Sequence, residues 1–290
     1  MKKRDSYSKI IAGTMTWGSW GEQLPKIEMA DLMNFCVSIG INTFDHADIY
    51  GSYSTEKAFG AAFKESGIDR TKIQLISKCG IQMTTGRKNT VAHYQYDADY
   101  IIWSAEQSLK NLNTEYLDLL LIHRPSPLMR PNAIAVAVKK LKAAGKIKAF
   151  GVSNFTPSQI AMLETEIPVS ANQVEFSLTH DTPMYDGTFD DCIAHNRVAM
   201  AWSPLGRYFK EKNKQNERIK KAFKSLEKKY DANASQLLLA FIMQHPSNCI
   251  PVVGTTKKDR LKQSLEALSI PLELEDWFIM LEASKGEQVP

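Results

Sequence analysis

Leu117-Asp118-Leu119-Leu120-Leu121-Ile122-His123 decides the fold. A strand with one wet face alternates apolar and polar residues. Four apolar positions in a row mark a strand covered on both faces, as in a parallel sheet flanked by helices. Seven further β-rich runs accompany it, at 9–13, 41–44, 73–77, 147–152, 171–176, 198–202 and 249–253. Helical patterns fill the intervals. The segment 28–39 sets Met29, Leu32, Met33, Cys36 and Val37 on one stripe, and 55–65, 99–112, 132–144, 157–164 and 234–244 behave similarly. Ser54 is expected to cap the helix that starts at Thr55, and Gly40 and Gly145 to end theirs. Eight strands with helices between them predict a (β/α)8 TIM barrel, α/β in class, forming a single domain over 1–290. A doubly wound sheet is the main competitor. It would normally carry Gly-x-Gly-x-x-Gly after its first strand, and no such segment exists here.

Composition narrows the class further. Of 290 residues, 43% are apolar and 23% charged, an ordinary globular balance that excludes a disordered or fibrous chain. The net charge of +4 is spread thinly. Its densest cluster, 210–229, is interrupted by Glu211, Glu217 and Glu227 and reads as a solvated helix face, not a nucleic-acid patch. The longest apolar run, 237–243, falls well short of the roughly 20 residues a bilayer requires. Met1-Lys2-Lys3-Arg4 resembles the start of a signal peptide, but no apolar stretch of about 7–15 residues follows. Four scattered cysteines without a Cys-x-x-Cys pair argue against a disulfide framework or zinc site and suit a reducing cytoplasm. The expectation is a cytoplasmic protein without a metal, nucleic-acid or membrane partner, monomeric or weakly self-associating. Two long polar loops, 80–97 and 206–216, are expected to rim the mouth, and the tail beyond Leu268, with Trp277, Phe278 and Met280, to pack back on the barrel.

The strand ends carry the chemistry. The run 41–44 leads into Asp45, with Tyr50 five residues on; 74–77 ends in Lys78; 119–122 ends in His123. In a parallel barrel such residues face the carboxyl-end mouth, where reactions occur. Each alone has an ordinary reading: a cap, a surface charge, a satisfied histidine, a packed aromatic. Together they suit proton transfer. An ammonium beside a phenol lowers the phenol's pKa, a carboxylate holds the ammonium, and an imidazole hydrogen-bonds the phenol or the substrate oxygen.

Asp45-His46-Ala47-Asp48-Ile49-Tyr50-Gly51, Ser77-Lys78, Leu121-Ile122-His123, Gly151-Val152-Ser153-Asn154-Phe155 and Trp202-Ser203-Pro204-Leu205-Gly206 resemble the aldo-keto reductases. The likeness runs from Ala12-Gly13-Thr14-Met15 to Ile250-Pro251-Val252-Val253-Gly254-Thr255-Thr256, nearly the whole chain. It implies a (β/α)8 barrel binding NADPH or NADH in an extended pose. It also implies transfer of a hydride to the carbonyl of an aldehyde or ketone. The implied tetrad is Asp45, Tyr50, Lys78 and His123, with Tyr50 as general acid in reduction and general base in oxidation. Ser153, Asn154 and Gln173 would hold the nicotinamide carboxamide. Trp202 would stack on the nicotinamide, unless it is a core tryptophan at a strand end. Ser203, Leu205 and Gly206 would line the pyrophosphate, and Gly13, Thr14, Met15, Gly254, Thr255 and Thr256 would frame the cofactor.

The adenosine end departs from the family pattern. Many members have a lysine directly after the Ile-Pro pair, and here Val252 stands there. Arg260 matches the family arginine near the 2′-phosphate, while Gln263 and Ser264 resemble the positions that read adenine. Lys257 either replaces the missing charge at a helix N-terminus or simply starts a solvated helix. NADPH is therefore expected over NADH. Two rivals stay open. A cofactor-binding regulatory module on the same fold is disfavoured by the complete tetrad. A barrel hydrolase or isomerase would want paired carboxylates or a metal set, and only Asp45 and Glu175 stand near strand ends. Trp17, Trp20, Tyr94 and Tyr96 suggest an aromatic rim, and Arg87 or Arg124 is either a surface arginine or a contact for an anionic substrate.

Overall fold

Eight parallel strands close into a barrel in the computed structural model, which describes residues 7–288. The basic start Met1-Lys2-Lys3-Arg4 lies outside the described residues. In chain order the strands are β1 (Ile11–Gly13), β2 (Thr43–Asp45), β3 (Gln74–Cys79), the two-residue β4 (Ile81–Gln82) and β5 (His93–Tyr94), β6 (Leu117–Ile122), β7 (Ile147–Ser153), β8 (Ala171–Glu175), β9 (Val198–Trp202) and β10 (Ile250–Val253). Around the barrel they run β1-β2-β3-β6-β7-β8-β9-β10, and β10 pairs back with β1. Each of the eight expected strands is present, within a few residues at its ends.

The run at 117–122 explains itself once both faces are visible. Leu119 and Leu121 belong to the barrel interior, with Ile11, Ile76, Ala149, Ala171, Met200 and Val252. Leu120 and Ile122 face the helix layer, with Phe44, Leu75, Phe150 and Val152. Side chains alternate along a strand. Stepping two residues beyond each interior position therefore brings Gly13, Lys78, His123, Gln173 and Trp202 inward at the carboxyl ends. Asp45, opposite the outward Phe44, and Ser153, four beyond Ala149, join them. Gly151 keeps this interior closed: a Cβ there would lie 2.7 Å from the Ala171 carbonyl and 2.8 Å from a Leu121 methyl.

The expected helices form at Lys26–Ser38, Thr55–Ser66, Ala98–Leu112, Pro131–Ala143, Pro157–Glu164 and Ala234–Met243, and Gly40 and Gly145 take the positive φ that lets the chain turn back. Ser54 does not cap as expected. Its backbone is right-handed helical, and its hydroxyl donates to the Gly51 carbonyl at 2.6 Å. The 80–97 segment is not a plain loop, because β4 and β5 pair within it as an antiparallel hairpin. The 206–216 loop ends earlier than expected, where Asn213 caps helix Lys214–Tyr230 by accepting from the Asn216 N–H at 2.8 Å. In the tail, helix Leu274–Lys285 returns to the barrel, and Trp277 stacks on Phe241 at 4.5 Å.

Candidate active site

Lys78 stands at the centre of the mouth, 1% exposed. Its Nζ donates to Asp45 Oδ1 and Oδ2 at 2.8 and 2.7 Å, to the His46 carbonyl at 2.8 Å and to the Tyr50 hydroxyl at 3.1 Å. Burial alone would discharge such an amine, but Asp45 and Tyr50 outweigh it and hold the ammonium above its ordinary range. Tyr50 is pushed up by burial, which exceeds the lowering from Lys78. The phenol thus keeps its proton at neutral pH, and because its oxygen accepts from Lys78, that proton is free to point elsewhere.

His123 follows β6, and its ring stands edge-on to Tyr50 with centroids 6.2 Å apart. Burial first, then the charges of Lys78 and Arg124, push its pKa well below the ordinary value, so the imidazole is neutral. Its Nδ1 is buried without a partner among the described residues. Tyr50 rides on a turn in which Gly51, Ser52 and Tyr53 all have positive φ. At Gly51 a Cβ would fall 2.4 Å from the Thr55 hydroxyl, so glycine is needed for space as well as conformation.

A second polar set spans β7 to β9. Gln173 Nε2 donates to Asp45 Oδ1 at 2.9 Å. The Asn154 N–H and the Ser153 hydroxyl both donate to the Gln173 carbonyl, at 2.9 and 2.8 Å. Asn154 Nδ2 donates to Ser153 Oγ at 2.8 Å, and its Oδ1 accepts from Trp202 Nε1 at 2.9 Å. Trp202 is therefore half-buried at the rim with a fixed ring, not a core tryptophan.

The other expected positions flank this centre on β1, β9 and β10, which are neighbours. Thr14 spends its hydroxyl inside the protein, donating to the Asp45 carbonyl at 2.9 Å and lying 2.8 Å from His46 Nδ1; Met15 is exposed. Beyond β9, Ser203 and Gly206 take positive φ around half-buried Leu205. A Cβ on Gly206 would meet Thr179 Oγ1 at 2.0 Å. Gly254 is exposed, its carbonyl accepting from the Thr16 hydroxyl at 2.6 Å, and Thr255 and Thr256 are half-buried. Lys257 precedes helix Lys258–Glu266 and lies 3.6 Å from the Glu22 carboxylate. Arg260 is exposed on that helix, Gln263 is half-buried, and Ser264 turns back to donate to the Arg260 carbonyl at 2.8 Å. Thr14 thus ties β1 to the Asp45 backbone, whereas among the described residues no hydrogen bond links 203–206 or 254–264 to the tetrad.

Three residues gain importance only in three dimensions. His46, inside the quoted motif, is fully buried with its pKa pushed down to about 3, by burial first and by Lys78 second. Asp48 is pushed up to about 7 by burial and by Glu56, against the opposing charge of Arg87. Glu56 accepts from the Ser77 hydroxyl at 2.6 Å behind β3. Two open cavities lie away from the mouth. One of about 680 Å³ borders Lys9, Val198 and Ile250 at the amino ends of the strands, and one of about 540 Å³ borders His245 and Trp277. Neither touches Asp45 or Lys78, and the amino-end face of a barrel serves stability more than chemistry.

The model of the aldo/keto reductase family matches residues 9–285. The chain belongs to this family. It is an NAD(P)H-dependent oxidoreductase acting on carbonyl and alcohol groups. The uncharacterized oxidoreductase YcsN of Bacillus subtilis (strain 168) is 38% identical over 291 residues, covering 98% of this chain and 96% of YcsN. A 6-dehydroglucose reductase of Agrobacterium fabrum is 33% identical, with 97% and 96% covered. Among solved structures, the thermostable aldo-keto reductase Tm1743, in complex with the inhibitor epalrestat, superposes with a TM-score of 0.81 at 25% identity, covering 97% of each chain. No helix among the described residues is long and apolar enough to cross a membrane.

Proposed function

We propose that this aldo-keto reductase reduces aldehydes and ketones with NADPH, with NADH as the poorer donor and Tyr50 supplying the proton. One observation carries the reading: the Tyr50 oxygen accepts from buried Lys78, so a neutral phenol is held with its own proton directed away from the ammonium. When bound, the reduced nicotinamide supplies the hydride that adds to the carbonyl carbon. His123, neutral, donates a hydrogen bond that orients the carbonyl oxygen. Tyr50 delivers its proton to that oxygen, and the phenolate left behind is held by the Lys78 ammonium, itself anchored by Asp45, until solvent restores the proton. In oxidation the same phenolate takes the alcohol proton.

The residues present fit the cofactor. Ser153, Asn154 and Gln173 present amide and hydroxyl groups in one fixed cluster, as a carboxamide requires, and Trp202 beside them has its ring locked by Asn154. Gly206 lets the backbone turn close against Thr179 and Ser177, and Ser203, Leu205 and Gly206 on that turn would line the pyrophosphate. Gly13, Thr14, Met15, Gly254, Thr255 and Thr256 frame the adjoining rim. At the adenosine end, Arg260 pairs with no carboxylate among the described residues and is available for a 2′-phosphate; Lys257 shares its charge with Glu22, and Gln263 and Ser264 flank the adenine position. The name of the Agrobacterium relative supports sugar-derived aldehydes among the candidate substrates.

The test is to incubate the protein with NADPH and a panel of aldehydes, ketones, quinones and 6-oxo sugars and follow the loss of reduced-nicotinamide absorbance. Turnover of at least one class is expected. No turnover on any member, with NADPH bound, would overturn the reading.

A further inference from the structure

Arg124 follows His123 directly, and its guanidinium stands 5.6 Å over the Trp202 ring. It is half-buried, yet among the described residues it has neither a carboxylate partner nor a side-chain hydrogen bond. Other cations withdrawn from solvent are satisfied. Arg70 rests on Asp118, Arg197 on Glu164 and Asp191, Arg218 on two backbone carbonyls, and Arg87 on Gln82 and the Tyr100 hydroxyl. A guanidinium carries five N–H donors in a planar fork, and leaving it partly desolvated without acceptors is unfavourable. Its position is also fixed on both sides. The Arg124 carbonyl accepts from the Tyr96 hydroxyl at 2.5 Å, and the Trp202 ring beneath it is held by Asn154. Its charge reaches His123, where it helps keep the imidazole neutral. Beside Tyr50, Trp20 offers a 40% exposed ring with its centroid 6.2 Å from that of the phenol.

We infer that Arg124 binds a carboxylate on the substrate, so that the preferred substrates are oxo acids: aldehydes or ketones carrying a carboxylate beyond the reacting carbonyl. The inference rests on the reductase reading above. The fork matches a carboxylate through two parallel hydrogen bonds, and Trp20 provides a surface for the flat or apolar body of such a molecule.

The experiment compares 4-formylbenzoate with its methyl ester, using the full-length enzyme with NADPH, in wild type and Arg124→Gln, at low and high salt. The ester is the more electrophilic aldehyde, so a preference for the acid cannot come from intrinsic reactivity. In wild type, kcat/KM is expected to favour the acid about tenfold or more at low salt, carried mainly by KM, and to lose part of that preference at high salt. In Arg124→Gln the acid-to-ester ratio falls towards one. An equal ratio in wild type, or one that Arg124→Gln leaves unchanged, would overturn the inference. So would a matching loss of NADPH affinity, read by tryptophan fluorescence, because Arg124 would then serve the cofactor. If the variant does not fold, the wild-type ratio and its salt dependence decide alone. Reduction of neither aldehyde, nor of any other carbonyl, while NADPH binds would instead sink the reductase reading, and the inference with it.

Discussion

The Asp45–Lys78 pair has to solve a problem that burial creates. Both charges are out of water, and the pair persists because Gln173 and the His46 carbonyl satisfy what remains of their hydrogen-bonding capacity. Lys78→Met would leave the Asp45 carboxylate buried without its counter-charge. The expected cost is about 3–5 kcal/mol in denaturant unfolding, the usual result of breaking a buried pair from one side. The same variant has a second signature. Lys78 is the largest influence lowering the Tyr50 pKa, so its removal should move the pH profile for alcohol oxidation to higher pH. An unmoved profile would mean that Lys78 does not tune the phenol. That Asp45, Lys78 and His123 would meet at the mouth is legible in the sequence, because a strand end fixes the direction of the next side chain; Tyr50, on the turn after β2, is legible only through the family motif around it. The net state of Tyr50 is not. An ammonium beside a phenol suggests a lowered pKa, and only the structure reveals how much desolvation opposes it.

The segment joining β2 to helix Thr55–Ser66 carries Tyr50 and is held from outside by the β4–β5 hairpin. The Tyr53 hydroxyl accepts from the Met83 N–H at 2.9 Å, and the Arg87 guanidinium lies 4.0 Å over the Tyr53 ring. Beneath that clamp, Asp48 accepts from Ser104 at 3.0 Å and Tyr100 at 3.4 Å, with Glu56 and Arg87 the charges that act on it. Its folded pKa of about 7 exceeds the unfolded value of roughly 3.9. The folded state therefore holds a proton that the unfolded chain gives up, and stability present below about pH 4 is lost as the pH rises towards 7. The loss amounts to at most about 4 kcal/mol. Asp48→Asn keeps the hydrogen bonds to Ser104 and Tyr100 without the titration, so wild type should lose stability between about pH 4 and 7 relative to the variant. Parallel unfolding free energies across that range would show Asp48 to be ionised throughout. The hairpin escapes sequence reading because strands of two residues have no period to detect. Ser54 misleads for a related reason: its spacing suits a cap, but three consecutive positive-φ residues before it turn its hydroxyl towards Gly51. The capping boxes at Thr156 with Gln159 and Asn233 with Gln236 have the spacing that the Ser54 segment lacks, and they form.

At the scale of the whole molecule, a cofactor in the proposed pose reaches from the Lys78 centre to helix Lys258–Glu266. The 2′-phosphate is the charged group that distinguishes NADPH from NADH, and charge-assisted hydrogen bonds to it contribute about 1.5–3 kcal/mol. NADPH should thus bind at least tenfold more tightly, with only its affinity falling as salt rises. Arg260→Ala should remove most of that preference, and Lys257→Ala less, since Lys257 already faces Glu22. Fluorescence titration of both cofactors checks this, and equal binding in wild type would transfer the cofactor preference to neither. The barrel is legible from its eight buried strands. The adenosine end is not, because its residues lie on loops and a helix start whose facing partners, such as Glu22 on the neighbouring loop after β1, are remote in sequence. Tyr50 as proton donor is tested by Tyr50→Phe on the best carbonyl substrate, with NADPH affinity measured on the same samples. The expected result is a loss of roughly 10²–10⁴-fold in kcat, the span of general acid catalysis, with cofactor affinity nearly unchanged. Turnover within a few-fold of wild type would contradict it.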